Sequence, residues 1–262
     1  MALSPETIAQ LAEHLENCQL QAQDTLKITE AHPDMDWDDA YAIQDLILAS
    51  KLRKGARVVG YKAGLTSHAK MKQMGVTDPV FGFLVDEYVV SEGATVNVSE
   101  LIHPKVEPEI AFVLKHDLDG PGVTSADVLR ATDFVLPCFE IVDSRIKDWK
   151  IKIQDTVADN ASCGVFVLGD RLVDPRDVDL GTCGMVLEKN GEIVATGAGA
   201  AALGHPANAV AWLANTLGAR GIALEAGEVI LSGSLGIMVP VQAGDNLRVT
   251  IGGIGGCSVR FV

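Results

Sequence analysis

The sequence predicts an α+β fold, with a helical first third followed mostly by strands. Three observations carry this. Apolar residues in the first third recur at helical spacing behind N-cap residues, and the chain from about residue 79 onward reads as short strands and turns. Near the end, a single strong helical pattern interrupts those strands. Strands grouped together with few helices point to α+β rather than to an alternating βαβ order. With 262 residues there is enough chain for one large domain, and no repeat or low-complexity linker divides it. The division by character is a helical region over 1–75 and a mixed-β domain over 76–262, which is expected to carry the chemistry.

The elements follow in order. Ser4-Pro5-Glu6 starts a helix with Ile8, Leu11, Ala12 and Leu15 on one face. Asp36, with Asp39 three residues on, caps a second helix whose buried stripe is Ala40, Ile43 and Ile47. Residues 57–64 form a strand entering a Gly-bounded bend, and a short helix over 67–74 stops at Gly75. Strands are predicted at 106–114, 133–142, 164–168, 229–231, 247–251 and 257–262. A helix over 206–217 turns Val210, Leu213, Ala214 and Leu217 inward. The glycines at 252–256 read as a hairpin turn. Gly197-Ala198-Gly199-Ala200-Ala201-Ala202 matches a loose dinucleotide pattern but lacks the βαβ setting that gives it meaning.

Composition narrows the function classes. A formal net charge of −14, from 21 basic against 35 acidic residues, leaves no basic footprint for nucleic acid. Five scattered Cys residues form no Cys-x-x-Cys pair, which argues against a disulfide framework or a structural zinc. The N-terminus has neither a basic n-region nor an apolar h-region. The longest stretch without charged side chains, 193–219, carries Pro206 and several glycines, so it makes a poor membrane span. A cytoplasmic protein with no membrane partner is the expectation.

The most informative stretch is His103-Pro104-Lys105-Val106-Glu107-Pro108-Glu109-Ile110. The two-residue period of a strand sends Glu107 and Glu109 to the same face, about 7 Å apart. A third acid, Glu140, ends the apolar run 134–139. Buried together, three carboxylates would each cost several kcal/mol unless compensated, and a divalent cation compensates them. All-oxygen ligation suits Mg²⁺ or Mn²⁺ better than zinc. Alternating Glu on a strand fits equally the solvent face of an exposed sheet. Lys62, in an apolar Gly-flanked strand, is either a buried base or anion anchor, or a lysine snorkelling to the surface. Asp159-Asn160-Ala161-Ser162 reads as a ligand-side cluster or a plain turn. The six His show no ligand spacing, and no Ser-His-Asp or Cys-His system stands out.

Taken as a set, several segments have a familiar look. Gly-Tyr-Lys-Ala-Gly-Leu-Thr-Ser at 60–67, Val-Glu-Pro-Glu-Ile at 106–110, Phe-Glu-Ile-Val-Asp-Ser-Arg at 139–145 and Val-Ala-Asp-Asn-Ala-Ser at 157–162 stand in order. Gly-Ala-Gly-Ala-Ala-Ala-Leu-Gly-His-Pro at 197–206 follows. The sequence resembles the hydratase/decarboxylase branch of the fumarylacetoacetate-hydrolase superfamily over nearly its whole length. The resemblance implies a mixed, largely β fold with a small N-terminal helical part, Mg²⁺ or Mn²⁺ held by Glu107, Glu109 and Glu140, and Lys62 as the active-site lysine. It places Leu65, Val80, Asp159 and Ser162 with Lys62 on the substrate side, with Arg145 a weaker attractor for an anion. It implies a homo-oligomer, able to associate with the neighbouring enzyme of meta-cleavage aromatic catabolism.

Two reactions belong to that branch. Decarboxylation converts 2-oxo-3-hexenedioate (4-oxalocrotonate) to 2-hydroxypenta-2,4-dienoate and CO₂. Hydration converts 2-oxopent-4-enoate (2-hydroxypentadienoate) to 4-hydroxy-2-oxopentanoate. In both, a 2-oxo acid chelates the cation, which stabilises the enolate as a Lewis acid. Hydratases of the branch read Gln-Pro-Asp-Phe-Gly where this chain has Asp78-Pro79-Val80-Phe81-Gly82, and decarboxylases resemble this chain there. Segments 149–164 and 231–235 look more like the hydratase. Since Val80 touches chemistry, the expectation is decarboxylation, with hydration the alternative. A C–C hydrolase, which would want a His–Glu pair, and a non-catalytic scaffold rank behind both.

Overall fold

The computed structural model describes residues 2–262, apart from the side chain of Gln73. Its N-terminal third holds α1 (Pro5–Gln21), α2 (Ile28–Ala31), α3 (Trp37–Arg53), β1 (Val58–Gly64) and α4 (His68–Met74). Next come β2 (Val80–Val85), β3 (Val89–Val90), β4 (Thr95–Val96), β5 (Lys105–Leu114), α5 (Ser125–Ala131), β6 (Thr132–Val142), α6 (Ile153–Ala158) and β7 (Cys163–Leu168). The last third holds β8 (Gly184–Lys189), β9 (Glu192–Ala198), α7 (Pro206–Gly218), β10 (Val229–Leu231), β11 (Val239–Pro240), β12 (Asn246–Ile251) and β13 (Gly255–Phe261). This is the α+β architecture that the patterning predicts, with mixed sheets.

The helix starts follow their sequence signals. Ser4 Oγ accepts from the Thr7 N–H at 3.2 Å. Asp36 and Asp39 form a reciprocal capping box on α3, and Asp39 also takes the backbone N–H groups of Ala2 and Leu3. Ser67 caps α4, and Gly75 ends it at φ +70°. The helices α2, α5 and α6 were not legible, because four, seven and six residues are too few to display a helical period. The β8–β9 hairpin did carry a signal: Asn190-Gly191 turns it with φ of 55° and 86°, as a two-residue hairpin loop requires.

Two sheets build the molecule. The larger has eight strands in the order β2-β1-β10-β5-β6-β7-β3, with β11 also pairing β5. It is mixed, since β1–β10 and β3–β7 run parallel while the other pairs are antiparallel. The smaller has the order β4-β13-β12-β8-β9 and packs on the larger through β6. Helices α1, α3 and α6 pack on one another, while α7 lies against α5 and β1. Strand β5 is therefore central and covered on both faces, with Val106, Ile110, Ala111 and Phe112 completely buried. Among the described residues no helix is long and apolar enough to cross a membrane, and the five Cys are unpaired and buried.

Candidate active site and metal centre

Register brings the acids together. In the β5–β6 ladder Glu107 pairs with Glu140 and Glu109 with Cys138, so Glu140 lies directly opposite one glutamate and diagonal to the other. One carboxylate oxygen from each falls within 4.8 Å of the other two. Glu109 and Glu140 are completely buried and Glu107 is half-buried, so this face of β5 is not a solvent face. Glu109 Oε2 accepts from the Gly233 N–H at 2.7 Å, while Glu109 Oε1 and Glu140 Oε2 have no hydrogen-bond partner. Burial pushes the Glu109 carboxyl well up, and the Glu140 and Glu107 charges push it further. Burial raises Glu140 too, although the Lys62 ammonium offsets part of this.

Such an arrangement is unfavourable as it stands, because two buried carboxylate oxygens have nothing to bind. A hard divalent cation meets both needs, and the donor set contains no nitrogen or sulfur to favour a softer ion. The residues present thus fit Mg²⁺ or Mn²⁺. Among the described residues this is the one cluster of three or more ligand-type side chains able to hold a metal.

Lys62 sits on β1 with its side chain 2% exposed, so it does not snorkel. Its Nζ lies 2.8 Å from Glu140 Oε1 and donates to the Ala161 carbonyl at 2.6 Å. Burial works against the ammonium most strongly, but Glu140, Cys163 and Glu107 together outweigh it and the net shift is upward. Beside Lys62 lies a cavity of about 290 Å³. Lys62, Lys70, Glu107, Thr156 and Ser162 supply its charged and hydroxyl groups, whereas Leu65, Met74, Val80, Val142, Ile151, Ile153 and Met238 make an apolar wall. Val80 is 1% exposed and stands on β2 opposite Gly64.

Residues 57–262 match the fumarylacetoacetate (FAA) hydrolase C-terminal family. The chain belongs to the fumarylacetoacetate hydrolase family. Among family members it is similar to a 2-hydroxypent-2,4-dienoate hydratase of Pseudomonas putida, 57% identical over 217 residues, covering 82% of this chain and 98% of that one. It is also similar to a 4-oxalocrotonate decarboxylase of Pseudomonas sp. strain CF600, 49% identical over 260 residues, covering 99% and 98%. A solved structure, 4-oxalocrotonate decarboxylase from Pseudomonas putida G7 complexed with magnesium and adipate, superposes with a TM-score of 0.97. It is 47% identical, with 100% of this chain and 99% of that one covered.

Not every expected residue of this fumarylacetoacetate hydrolase family member reaches the cavity. Leu65, Val80 and Ser162 line it with Lys62. Asp159, expected on the substrate side, is instead 1% exposed and ion-paired with the Arg145 guanidinium, and it also accepts from the Arg145 N–H at 3.1 Å. Burial pushes its carboxyl up to about 6 despite that arginine. Arg145, expected as a weaker anion attractor, spends its other donors on the carbonyls of Asp143, at 2.6 Å, and Cys163, at 2.8 Å. A buried guanidinium must satisfy its donors locally, and this pair ties residues 143, 159 and 163 together.

Lys70 and Trp149, not among the expected site residues, also line the cavity. Lys70 Nζ lies 3.4 Å from Glu107 Oε1, and the Trp149 indole donates to the His103 carbonyl with Lys105 Nζ 4.2 Å above its ring. Lys70 follows the Gly-bounded bend by one helical turn, and that proximity was the available signal. Nothing local told where the 146–153 loop would fold. His103 turns to Asp24, at 3.5 Å, and among the described residues no histidine lines the cavity. The His–Glu pair expected of a C–C hydrolase is therefore not assembled there.

Proposed function

We propose that this protein is a divalent-metal-dependent lyase that decarboxylates 2-oxo-3-hexenedioate to 2-hydroxypenta-2,4-dienoate and CO₂. The observation that carries the reading is the lining of the cavity: Lys62 and Glu107 of the carboxylate cluster together with apolar side chains that include buried Val80. Support also comes from the decarboxylase relatives, which span almost the whole chain.

Glu107, Glu109 and Glu140 would hold the cation. When bound there, Mg²⁺ or Mn²⁺ supplies Lewis-acid stabilisation for negative charge on the substrate. Lys62, fixed by the Ala161 carbonyl and Glu140, presents an N–H to the 2-oxo oxygen. As the C5–C6 bond breaks, its electron pair forms C4=C5, the C3=C4 pair shifts to C2=C3, and the C2=O pair ends on oxygen. That oxygen takes one proton, for which Lys62 is the nearest buried donor. The apolar wall excludes water and disfavours the ionised distal carboxylate relative to departing CO₂. Ser162 offers a hydroxyl from the opposite loop.

The hydratase relative at 57% identity favours a second reading, addition of water to 2-hydroxypentadienoate. Adding the hydroxyl of water at C4, with a proton to C5, calls for a polar group, and Val80 supplies none. Feeding the purified protein each substrate separately with Mg²⁺ separates the two. CO₂ release from 2-oxo-3-hexenedioate is expected, and hydration alone would overturn the reading. The resemblance further supports a cytoplasmic homo-oligomer that associates with the hydratase consuming its product; light scattering of each protein alone and of the mixture tests both assemblies.

A further inference from the structure

Residues Asn160, Ala161 and Ser162 have φ of 49°, 49° and 56°, three consecutive non-glycine residues in the left-handed region. Only Asn among these tolerates that conformation readily, so the turn needs an external restraint. Asn160 provides it. Its Oδ1 accepts from the Phe83 N–H at 2.9 Å and its Nδ2 donates to the Phe83 carbonyl at 3.1 Å, a two-point grip on β2. Gly82 makes the approach possible, since a Cβ there would lie 2.7 Å from the Asn160 carbonyl oxygen and 3.2 Å from Lys62 Cε. The residue after Asn160 contributes the carbonyl that receives the Lys62 ammonium, and the next contributes the hydroxyl lining the cavity. Asn160 itself is buried and does not line the cavity.

We infer that Asn160 is a positioning residue: its grip on Phe83 holds a strained turn whose Ala161 carbonyl keeps the Lys62 ammonium aimed at the carboxylate cluster. The inference rests on the proposed role of Lys62 at the reacting centre, but its geometry can be tested without any reaction.

Asn160→Gly keeps the left-handed freedom and removes the grip. Asn160→Asp keeps that freedom and the bond from the Phe83 N–H. Competitive acetylation with acetic anhydride at one pH, read by peptide mass spectrometry, reports each lysine. Lys51, 3% exposed and held by Glu87 and the Tyr88 ring rather than by the turn, is the folded-state control. In Asn160→Gly, Lys62 labelling should rise about tenfold relative to Lys51, and kcat for the preferred substrate should fall by about 10–10², with KM within about threefold. Asn160→Asp should fall between that variant and the wild type. Lys62 as protected as Lys51 in a folded variant, or unchanged turnover despite exposed Lys62, would overturn the inference. Should Asn160→Gly unfold, both lysines label together and the Lys62/Lys51 ratio in Asn160→Asp decides. Failure of the wild type to turn over 2-oxo-3-hexenedioate would sink the decarboxylase reading while leaving the labelling ratio intact.

Discussion

Replacing Glu109 by Gln should make the metal-free protein more stable and cut most of the stabilisation that Mg²⁺ supplies. Two carboxylate charges no more than 4.8 Å apart repel by about 3.5 kcal/mol at an effective dielectric constant near 20. Glu109 faces two such neighbours, while the Lys62 ammonium offsets part of the repulsion. Gln keeps an acceptor for the Gly233 N–H, so that bond survives in weaker form. The net gain without metal is on the order of 1–3 kcal/mol, or roughly 2–10 °C in Tm for a domain of this size. With Mg²⁺ at about 100 times its Kd, the wild type gains about 2.7 kcal/mol. If the lost carboxylate weakens binding by about 10²-fold, the variant gains only about 0.4 kcal/mol at the same concentration. Melting curves of both proteins at pH 8 should therefore show Mg²⁺ stabilising the wild type by about 2.3 kcal/mol more than the variant. A metal-free variant that melts below the wild type and keeps the full Mg²⁺ shift would refute the shared-cation account.

Three further outcomes follow from the same geometry. Val80→Asp places a carboxylate in the apolar wall and should lower decarboxylation by about tenfold or more. CO₂ release is the measure, and unchanged kinetics would remove Val80 from the mechanism. Lys70→Met breaks a partly exposed pair, so Tm should move by less than about 1 kcal/mol equivalent while KM rises about tenfold for the anionic substrate; an unmoved KM would restrict Lys70 to balancing Glu107. Burial, reinforced by Glu225 and Asp117, pushes the Glu228 carboxyl from 4.5 to about 7. The folded state then holds a proton that the unfolded chain releases, so this group's contribution to stability falls as pH rises through that window. Glu228→Gln should match the wild type in Tm near pH 5 and exceed it at pH 8 by about 1 kcal/mol, after discounting for partial exposure; equal melting at both pH values would contradict the shift.

How much of this was legible beforehand differs by element. Ser4, Asp36 and Ser67 announce their helices because capping is a contact between near neighbours, and the 3.6-residue period of α7 is visible in its own residues. The same-face relation of Glu107 and Glu109 is a strand property, and so was available from spacing alone.

Whether that face was wet or dry was not available. It became a cluster because β6 pairs in the register that sets Glu140 opposite Glu107, and because β10 covers the other edge of β5. Asp159 and Arg145 show the opposite outcome: residues that read as ligands were drawn to one another, since in a dry interior each is the other's nearest compensation. The sequence by itself determined the kinds of side chain and their local directions. Tertiary structure alone decided which of them share a cavity, because burial and register depend on segments far apart in the chain.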